Sequence, residues 1–536
     1  CHRRINGDEL PIWFDLVCRS VRALYWINSK FPTTPLTCLT TSMDNPIARA
    51  KFLCFVGSFS LFTVDPHNHS AIGIYHSTVA NCYLDPKTEF LFKRRTINNW
   101  RHDMKLVGNP KQGLFGATLG FFTGFAAVSL FGPTASRFQE LMGLSPVLVG
   151  LLVAAPSLSG SLLRIPFGAW VDTTGGRKPF LILLWLSVVG MLGLLLVVYF
   201  LYPDQLTLSI YPVLLILGVL SGCGIATFSV GIGQVSYWFP QNKQGSALGA
   251  YAGIGNLAPG LFSFLLPIAL GSWGLSGAYL TWLLFLTIGV VLYQFTGLNA
   301  YYFQLRDQNQ SAEEAKENAR SSGQELFPSG GTRESLIKAA KIWKTWLLVA
   351  IYFTTFGGFI ALTAWFPTYW TSYYKLSAVT AGGLTALYSL TASAIRVPGG
   401  TISDRLGGEK TALISLVTML IGAILMTTSN IYLLSIIGEI LLAIGMGVTN
   451  AAVFKLMPQY ISEAVGGAAG WIGGLGAFGG FAIPPIMGAF VRAQGDTGYA
   501  TGFLVFVILA TTSLGLAYRL KRMDESGVSS PILQTE

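Results

Sequence analysis

RIPFGAWVDTTGGRKP, running from Arg164 to Pro179, decides how the rest of the chain is read. A weaker copy, RVPGGTISDRLGGEK, begins at Arg396, with Arg, Pro, Gly, Asp, the glycine pair and the closing Lys matched at an offset of 232. A second match sets FPQNKQGSALGAYAGIGN, from Phe239, beside MPQYISEAVGGAAGWIGG, from Met457. The chain therefore carries an internal duplication, the arrangement in which membrane carriers enclose a site between two halves.

Working outward from these stretches, apolar runs of roughly 20 residues recur, each long enough to cross a hydrocarbon layer of about 30 Å as a helix. Twelve are predicted, at 113–135, 146–170, 180–202, 209–235, 246–269, 277–303, 345–369, 378–402, 411–428, 431–455, 466–490 and 499–520. The long polar break at 304–344 divides them six and six, and reads as a surface loop with some helix. The organisation is then a half at 104–303, the loop at 304–344, a half at 345–522 and a tail at 523–536. The fold class is an all-α membrane protein of two pseudo-symmetric six-helix halves.

Composition agrees with this. The 536 residues are 52% hydrophobic and 11% charged, against about 25% charged in a soluble domain, which excludes an ordinary soluble enzyme. The net charge of +10 does not indicate nucleic acid, because Lys and Arg lie between apolar runs instead of on one face. Lys and Arg concentrate in the loops after spans 2, 4, 6 and 8 and at the two ends of the helical part, which predicts both ends cytoplasmic in a cell membrane.

Residues 1–103 have a different composition. Cys1, Cys18, Cys38, Cys54 and Cys82 and all five histidines fall there, and Met104 precedes the first span. The stretch is expected to be a poorly defined extension of translated upstream sequence. A Cys/His metal domain is the rival reading, but neither CxxC nor HxxxH spacing backs it. No cofactor or metal is expected. An enzyme is not expected either, since the helical part has no His, one Cys and no paired intramembrane carboxylates.

Charges inside the spans mark the chemistry. Arg164 lies about six residues before the end of span 2, and Arg396 takes the same place in span 8. A buried Arg costs from about 2.5 to more than 10 kcal/mol, so it faces a partner or a wet cavity. Glu439 in span 10 is the candidate intramembrane acid and candidate proton site, and it lies well outward of Arg396. One acid cannot neutralise two arginines. A small anion would complete the centre, and the forked guanidinium suits a planar oxyanion.

GAWVDTTGGRKP resembles the loop motif of the major facilitator superfamily, whose architecture is twelve helices split six and six. The resemblance implies that Asp172, Arg177, Asp404 and Arg405 form a salt-bridge latch on the inward gate. Within that superfamily, the placement of the two arginines and the glycine-rich spans 5 and 11 resemble the nitrate/nitrite porters. GSALGAYAGIGNLAPG from Gly245 and GGAAGWIGGLGAFGG from Gly466 are similar to that family's paired signatures. Gly245, Gly249 and Gly253 recur every four residues, as do Gly466, Gly470 and Gly474, where absent side chains let backbones approach. After Asn256 the chain departs from the signature with Leu257, Ala258 and Pro259, and the proline is expected to bend span 5.

The resemblance further implies that Asn256 lines the site, that Tyr352 of IYFTTFGGFI donates to the anion, and that Phe356 and Phe228 wall it. Phe121 and Phe125 are weaker candidates. The implied function is nitrate and nitrite transport by alternating access, as exchange. Proton-coupled symport through Glu439 and a facilitator for another small or organic anion are the alternatives. The expected partners are the anion and the lipid bilayer, with no nucleic acid, and a monomer is expected.

Overall fold

The computed structural model describes residues 106–328, 332–461 and 464–525. The predicted extension at 1–103 and the end of the tail lie outside the described residues. What is described is helical throughout, and its long apolar helices are α1 (Pro110–Met142), α2 (Pro146–Thr174), α3 (Arg177–Leu201) and α4 (Leu208–Trp238), then one 51-residue run, Ser246–Thr296. Gly274 interrupts that run at φ 66° and ψ −174°, which no helix can hold. The run is therefore two crossings, α5 before Gly274 and α6 after it. The second half comprises α7 (Trp343–Ser372), α8 (Ala378–Leu406), α9 (Gly408–Thr428), α10 (Tyr432–Tyr460), α11 (Gly467–Thr501) and α12 (Leu504–Met523). The count of twelve and the division six and six follow. Two boundaries need correction: α6 stops at Thr296, short of 303, because Gly297 takes an extended conformation and Tyr301–Asp307 forms a separate short helix, and the start of span 12 predicted at 499 falls within α11, with α12 beginning at Leu504.

Local chemistry starts and breaks these helices. Asn109 caps α1 by accepting from Gln112 N, with Pro110 in the first turn, where a missing amide proton costs nothing. Ser377 caps α8 in the same way through Thr380 N. Mid-span breaks matter more. In α2 the regular helix stops at Leu162 and resumes at Arg164, and in α8 it stops at Ala394 and resumes at Arg396. The linking residues Leu163 (φ −69°, ψ −15°) and Ile395 (φ −66°, ψ −14°) have nearly the same geometry. The cause is the repeated Arg-x-Pro: Pro166 and Pro398 lack an amide proton and crowd the carbonyls of Leu162 and Ala394 four residues back. Each arginine thus opens a new helical segment.

The other spans at this depth are interrupted too. α1 passes into a 3₁₀ turn at Ala126–Ser129 and α4 into another at Gly222–Ala226, α5 breaks at Asn256, α7 widens into a π turn at Phe353–Gly357, and α11 breaks at Phe478. Irregular backbone at membrane depth is tolerated only when it is buried in protein or lines a cavity. The interruptions mark one central layer.

The side of the helical part opposite the central loop is closed by backbone-to-backbone packing between the two halves. A side chain on Gly150 would strike the Pro484 carbonyl, and one on Gly382 would strike that of Ser263. On the side of the central loop, a short helix, Thr332–Lys341, docks on the start of α11: Ser335 Oγ accepts from Gly467 N at 3.0 Å, and Trp471 Nε1 donates to the Leu336 carbonyl at 2.9 Å.

Candidate functional site: a paired-arginine centre

The central layer brings both arginines to one aromatic ring. Arg164 is fully buried, with its Cζ 4.9 Å from the centre of the Phe228 ring and 5.1 Å from that of Phe356. Arg396 is half-buried and lies 5.4 Å from the same Phe356 ring. The two guanidinium carbons are therefore within about 11 Å of each other. At an effective dielectric of about 20 and roughly 10 Å, two such charges repel by roughly 2 kcal/mol.

No carboxylate relieves that repulsion. Among the described residues neither guanidinium is in an ion pair. Arg164 is held by main-chain carbonyls instead: Nε donates to Gly160 at 2.9 Å, one terminal nitrogen to Gly473 at 3.1 Å and the other to Ile225 at 3.4 Å. Gly160 is four residues earlier in α2 and Ile225 sits in the 3₁₀ turn of α4, while Gly473 belongs to α11 of the other half. The side chain thus ties the two halves together.

Rings enclose the pair. Phe228 and Phe356 stack at 5.6 Å and 27°, and Tyr352 stacks on Phe356 at 4.8 Å and 12°. The Tyr352 hydroxyl is buried beside both guanidinium groups, in polar contact with Arg396 but outside strict hydrogen-bond geometry. Phe121 lies 5.2 Å from Phe228, and Phe125 lies parallel to Phe356 at 6.3 Å and 8°. A cation held over aromatic faces in a desolvated place gains up to about 2 kcal/mol per contact. The centre therefore accommodates two positive charges without an acid.

Other predicted residues are placed differently. Asn256 is fully buried at the α5 break, but its Nδ2 donates to the Ala252 carbonyl at 2.7 Å, leaving Oδ1 without a partner. The amide nitrogen keeps a second hydrogen to donate elsewhere. Glu439 is fully buried and apart from the arginines: Oε1 accepts from Trp370 Nε1 at 3.5 Å and Oε2 has no partner. One turn outward, Ser435 bonds Tyr374 at 2.7 Å, so this acid belongs to an aromatic cluster on the far side.

The expected latch pairs in another way. Asp172 accepts from the Tyr237 hydroxyl at 2.6 Å, and Asp404 binds Lys455 Nζ at 2.7 Å. Tyr237 and Lys455 are themselves equivalent, 218 apart like Phe239 and Met457. Arg177 lies beyond the turn at Gly175 (φ 72°) and points away, donating to the Gln294 carbonyl at 2.8 Å, while Arg405 is exposed. Arg177 stands past the Gly175 turn and Arg405 is exposed directly after Asp404, and each carboxylate bonds a residue of α4 or α10 instead.

The signature glycines also divide. Gly245 and Gly466 lie in the first turns of their helices. A side chain on Gly474 would come within 2.6 Å of Ile165, the neighbour of Arg164, and one on Gly470 within 3.2 Å of Leu336. By contrast, nothing lies within 4 Å of a side chain added at Gly249, and only Val397 does so at Gly253. An apolar cleft of about 270 Å³ occupies that seam, lined by Gly249, Gly253, Leu257, Ser393 and Val397 among others. The close approach expected of the α5 glycines is thus absent, while α11 realises it.

Two neighbours of the centre escaped the sequence reading. Phe454 of α10 touches Tyr352 at 5.4 Å and Phe228 at 6.3 Å, and Tyr251 of α5 stacks beside Phe121 at 5.0 Å while its hydroxyl donates to the carbonyls of Thr227 and Phe228. Neither has an aromatic equivalent in the other half. A further repeat was available as a signal: FFTGF at 121–125 and YFTTF at 352–356, offset by 231, set Phe121 and Phe125 against Tyr352 and Phe356.

Comparison with known proteins adds the following. The sequence model of the Major Facilitator Superfamily matches residues 117–392 and 370–534. A probable nitrate transporter, NarT, of Staphylococcus epidermidis is 29% identical over 399 residues, covering 74% of this chain and 94% of the relative. A probable nitrate/nitrite antiporter, NarK1, of Thermus thermophilus is 30% identical over 427 residues, covering 74% and 89%. Among solved structures, a partially occluded inward-open xylose transporter, XylE, from E. coli superposes with a TM-score of 0.59 at 13% identity, covering 77% of this chain and 99% of that one. The human organic anion transporter MFSD10 gives 0.52 at 16%, covering 77% and 100%. At such identities the structural matches speak to the fold alone.

Proposed function

Because the chain belongs to the major facilitator superfamily, and within it to the nitrate/nitrite porters, we propose that it exchanges nitrate and nitrite across a cell membrane by alternating access, with both ends of its helical part cytoplasmic. The observation that carries this reading is the paired-arginine centre: two guanidinium groups, one from each half, share the Phe356 ring with no carboxylate beside them. A monovalent planar oxyanion between Arg164 and Arg396 removes their repulsion and satisfies both forks. Tyr352 donates a further hydrogen bond, Phe228 and Phe356 form the walls, and Asn256 lines the α5 side. The pairs at Asp172 and Asp404 act as the gate latch.

Exchange follows from the charges. Closing the site without an anion forces two like charges together in a dry space, so the unloaded carrier returns slowly. Bound anion permits closure in either direction. One observation favours a rival: Glu439, fully buried with an unpartnered oxygen, is the group that would carry a proton in symport.

One assay decides between them. Labelled nitrate uptake is measured in proteoliposomes loaded with nitrite, nitrate or neither, with and without an imposed proton gradient, for the wild type and for Arg164→Lys and Arg396→Lys. Uptake that needs internal anion, ignores the gradient and collapses in both variants supports exchange. Gradient-driven uptake into unloaded vesicles supports symport, and absence of nitrate or nitrite flux in folded protein overturns the assignment.

A further inference from the structure

The aromatic wall from α7 sits in the one π turn among the described helices, Phe353–Gly357. Such a turn is rarely stable unaided, since it adds a residue and loosens the hydrogen-bond ladder, and it tends to occur at functional sites. Here both of its threonines are held from outside. Thr354 Oγ1 bonds Ser513 Oγ of α12 at 2.8 Å, and Thr355 Oγ1 bonds Asn450 Oδ1 of α10 at 2.8 Å. Thr355 is fully buried and Asn450 is 1% exposed. An amide buried at this depth costs roughly 1–3 kcal/mol unless its bond is made.

The other half shows what this bond replaces. In the matched pentapeptides, Gly124 stands where α7 has Thr355. Gly124 lets α1 close directly on the backbone of Gly224 in α4, where an added side chain would meet the Gly224 carbonyl at 2.5 Å. At this position α7 reaches α10 through a side-chain bond. One turn along α10 from Asn450, Phe454 packs against Tyr352 and Phe228. The face of α10 carrying 450 and 454 therefore both holds the π turn and touches the rings it presents.

We infer that Asn450 is a positioning residue of the anion site: through Thr355 it fixes the π turn, and so the placement of Tyr352 and Phe356 against the two guanidinium groups. This rests on the anion-exchange reading above. The bond acts on binding geometry, not on the rocking of the halves, so its loss raises the concentration of anion needed for half-maximal exchange more than it lowers the maximal rate.

The test is nitrate–nitrite exchange in proteoliposomes for the wild type, Asn450→Ala, Thr355→Val, the double variant and Thr355→Ser, which keeps the hydroxyl that bonds Asn450. Expected are a rise of about tenfold in the half-saturating nitrate concentration for each single loss, a maximal rate within about threefold, no further rise in the double variant, and recovery toward wild type in Thr355→Ser. Multiplicative effects in the double variant, unchanged half-saturation in folded Asn450→Ala, or a fall in maximal rate alone overturns the inference. If Asn450→Ala does not fold, Thr355→Val and Thr355→Ser carry the same comparison. Failure of wild-type exchange would instead strike the parent reading.

Discussion

The seam between α2 and α11 and the seam between α8 and α5 are built from matching parts in the two halves, yet one is shut and the other open. At the first, Gly474 meets Ile165 and Arg164 crosses to the Gly473 carbonyl, leaving the guanidinium without exposure. At the second, Gly249 and Gly253 face an apolar cleft and Arg396 stays half-exposed. A glycine stripe permits close approach without enforcing it. What distinguishes the seams is the arginine, since Arg164 crosses the first with a charge-assisted bond to the Gly473 carbonyl and, among the described residues, none of that kind spans the second.

The largest effect should come from exchanging the arginines themselves. Arg164→Lys gives up a fork whose bonds to neutral partners are worth about 1.5–3 kcal/mol each, so nitrate exchange should fall by at least about a hundredfold. Arg396→Lys, with fewer contacts to lose, should fall by less. Equal losses in initial rates would break the comparison.

Next come the glycines. Gly474→Ala places a methyl 2.6 Å from Ile165, and overpacking of that kind costs about 1–3 kcal/mol, so exchange should drop about tenfold. Gly249→Ala enters open space and should stay within about twofold. Cysteine labelling sharpens the point. A Cys at Gly249 should react with a permeant maleimide and one at Gly473 should not, and nitrate should alter the first rate if the open seam closes during transport. Identical labelling at both places would contradict the asymmetry.

The smallest expected effect concerns the loop helix under the shut seam. Lys338 pairs with Glu334 at 2.9 Å and holds that carboxyl below its ordinary range through a side-chain hydrogen bond first and charge second. A depressed carboxyl contributes stability above its unfolded value and loses it as pH falls through its folded one. Hydrogen-exchange protection in Thr332–Lys341, taken relative to the intrinsic rate at each pH, should therefore fall slightly on acidification below the ordinary glutamate range, and less so in Glu334→Gln. Both residues are mostly exposed, so a large change would point to another group.

These contrasts also separate what the sequence carries from what it does not. Twelve spans were readable because each apolar run matches a bilayer, and the division of Ser246–Thr296 because Gly274 stands between two such runs. Arg164 and Arg396 could be named in advance because charges at repeated places inside apolar runs stand out, and Phe228, Phe356 and Tyr352 through the family resemblance, and all five do come together. Phe454 had no repeat to point to it. The carbonyl partners of Arg164 were hidden as well, because main-chain acceptors carry no signature in side-chain identity. Nor could repeats tell a shut seam from an open one, since symmetric sequences support both arrangements. The resemblance named Asp172 and Asp404 with Arg177 and Arg405 as a salt-bridge latch, whereas the two carboxylates bond Tyr237 and Lys455, residues distant along the chain that the motif does not include.

That latch has a consequence for the medium in which the carrier works. Asp172 is tied by an uncharged phenol, whereas Asp404 is tied by an ammonium, with its own side chain 74% exposed. Mobile ions at physiological strength screen exposed charges over about 8 Å. The clasp of the second half therefore weakens as electrolyte accumulates on its side of the membrane, while that of the first half is indifferent to it, and the balance between two otherwise matching clasps becomes a function of salt.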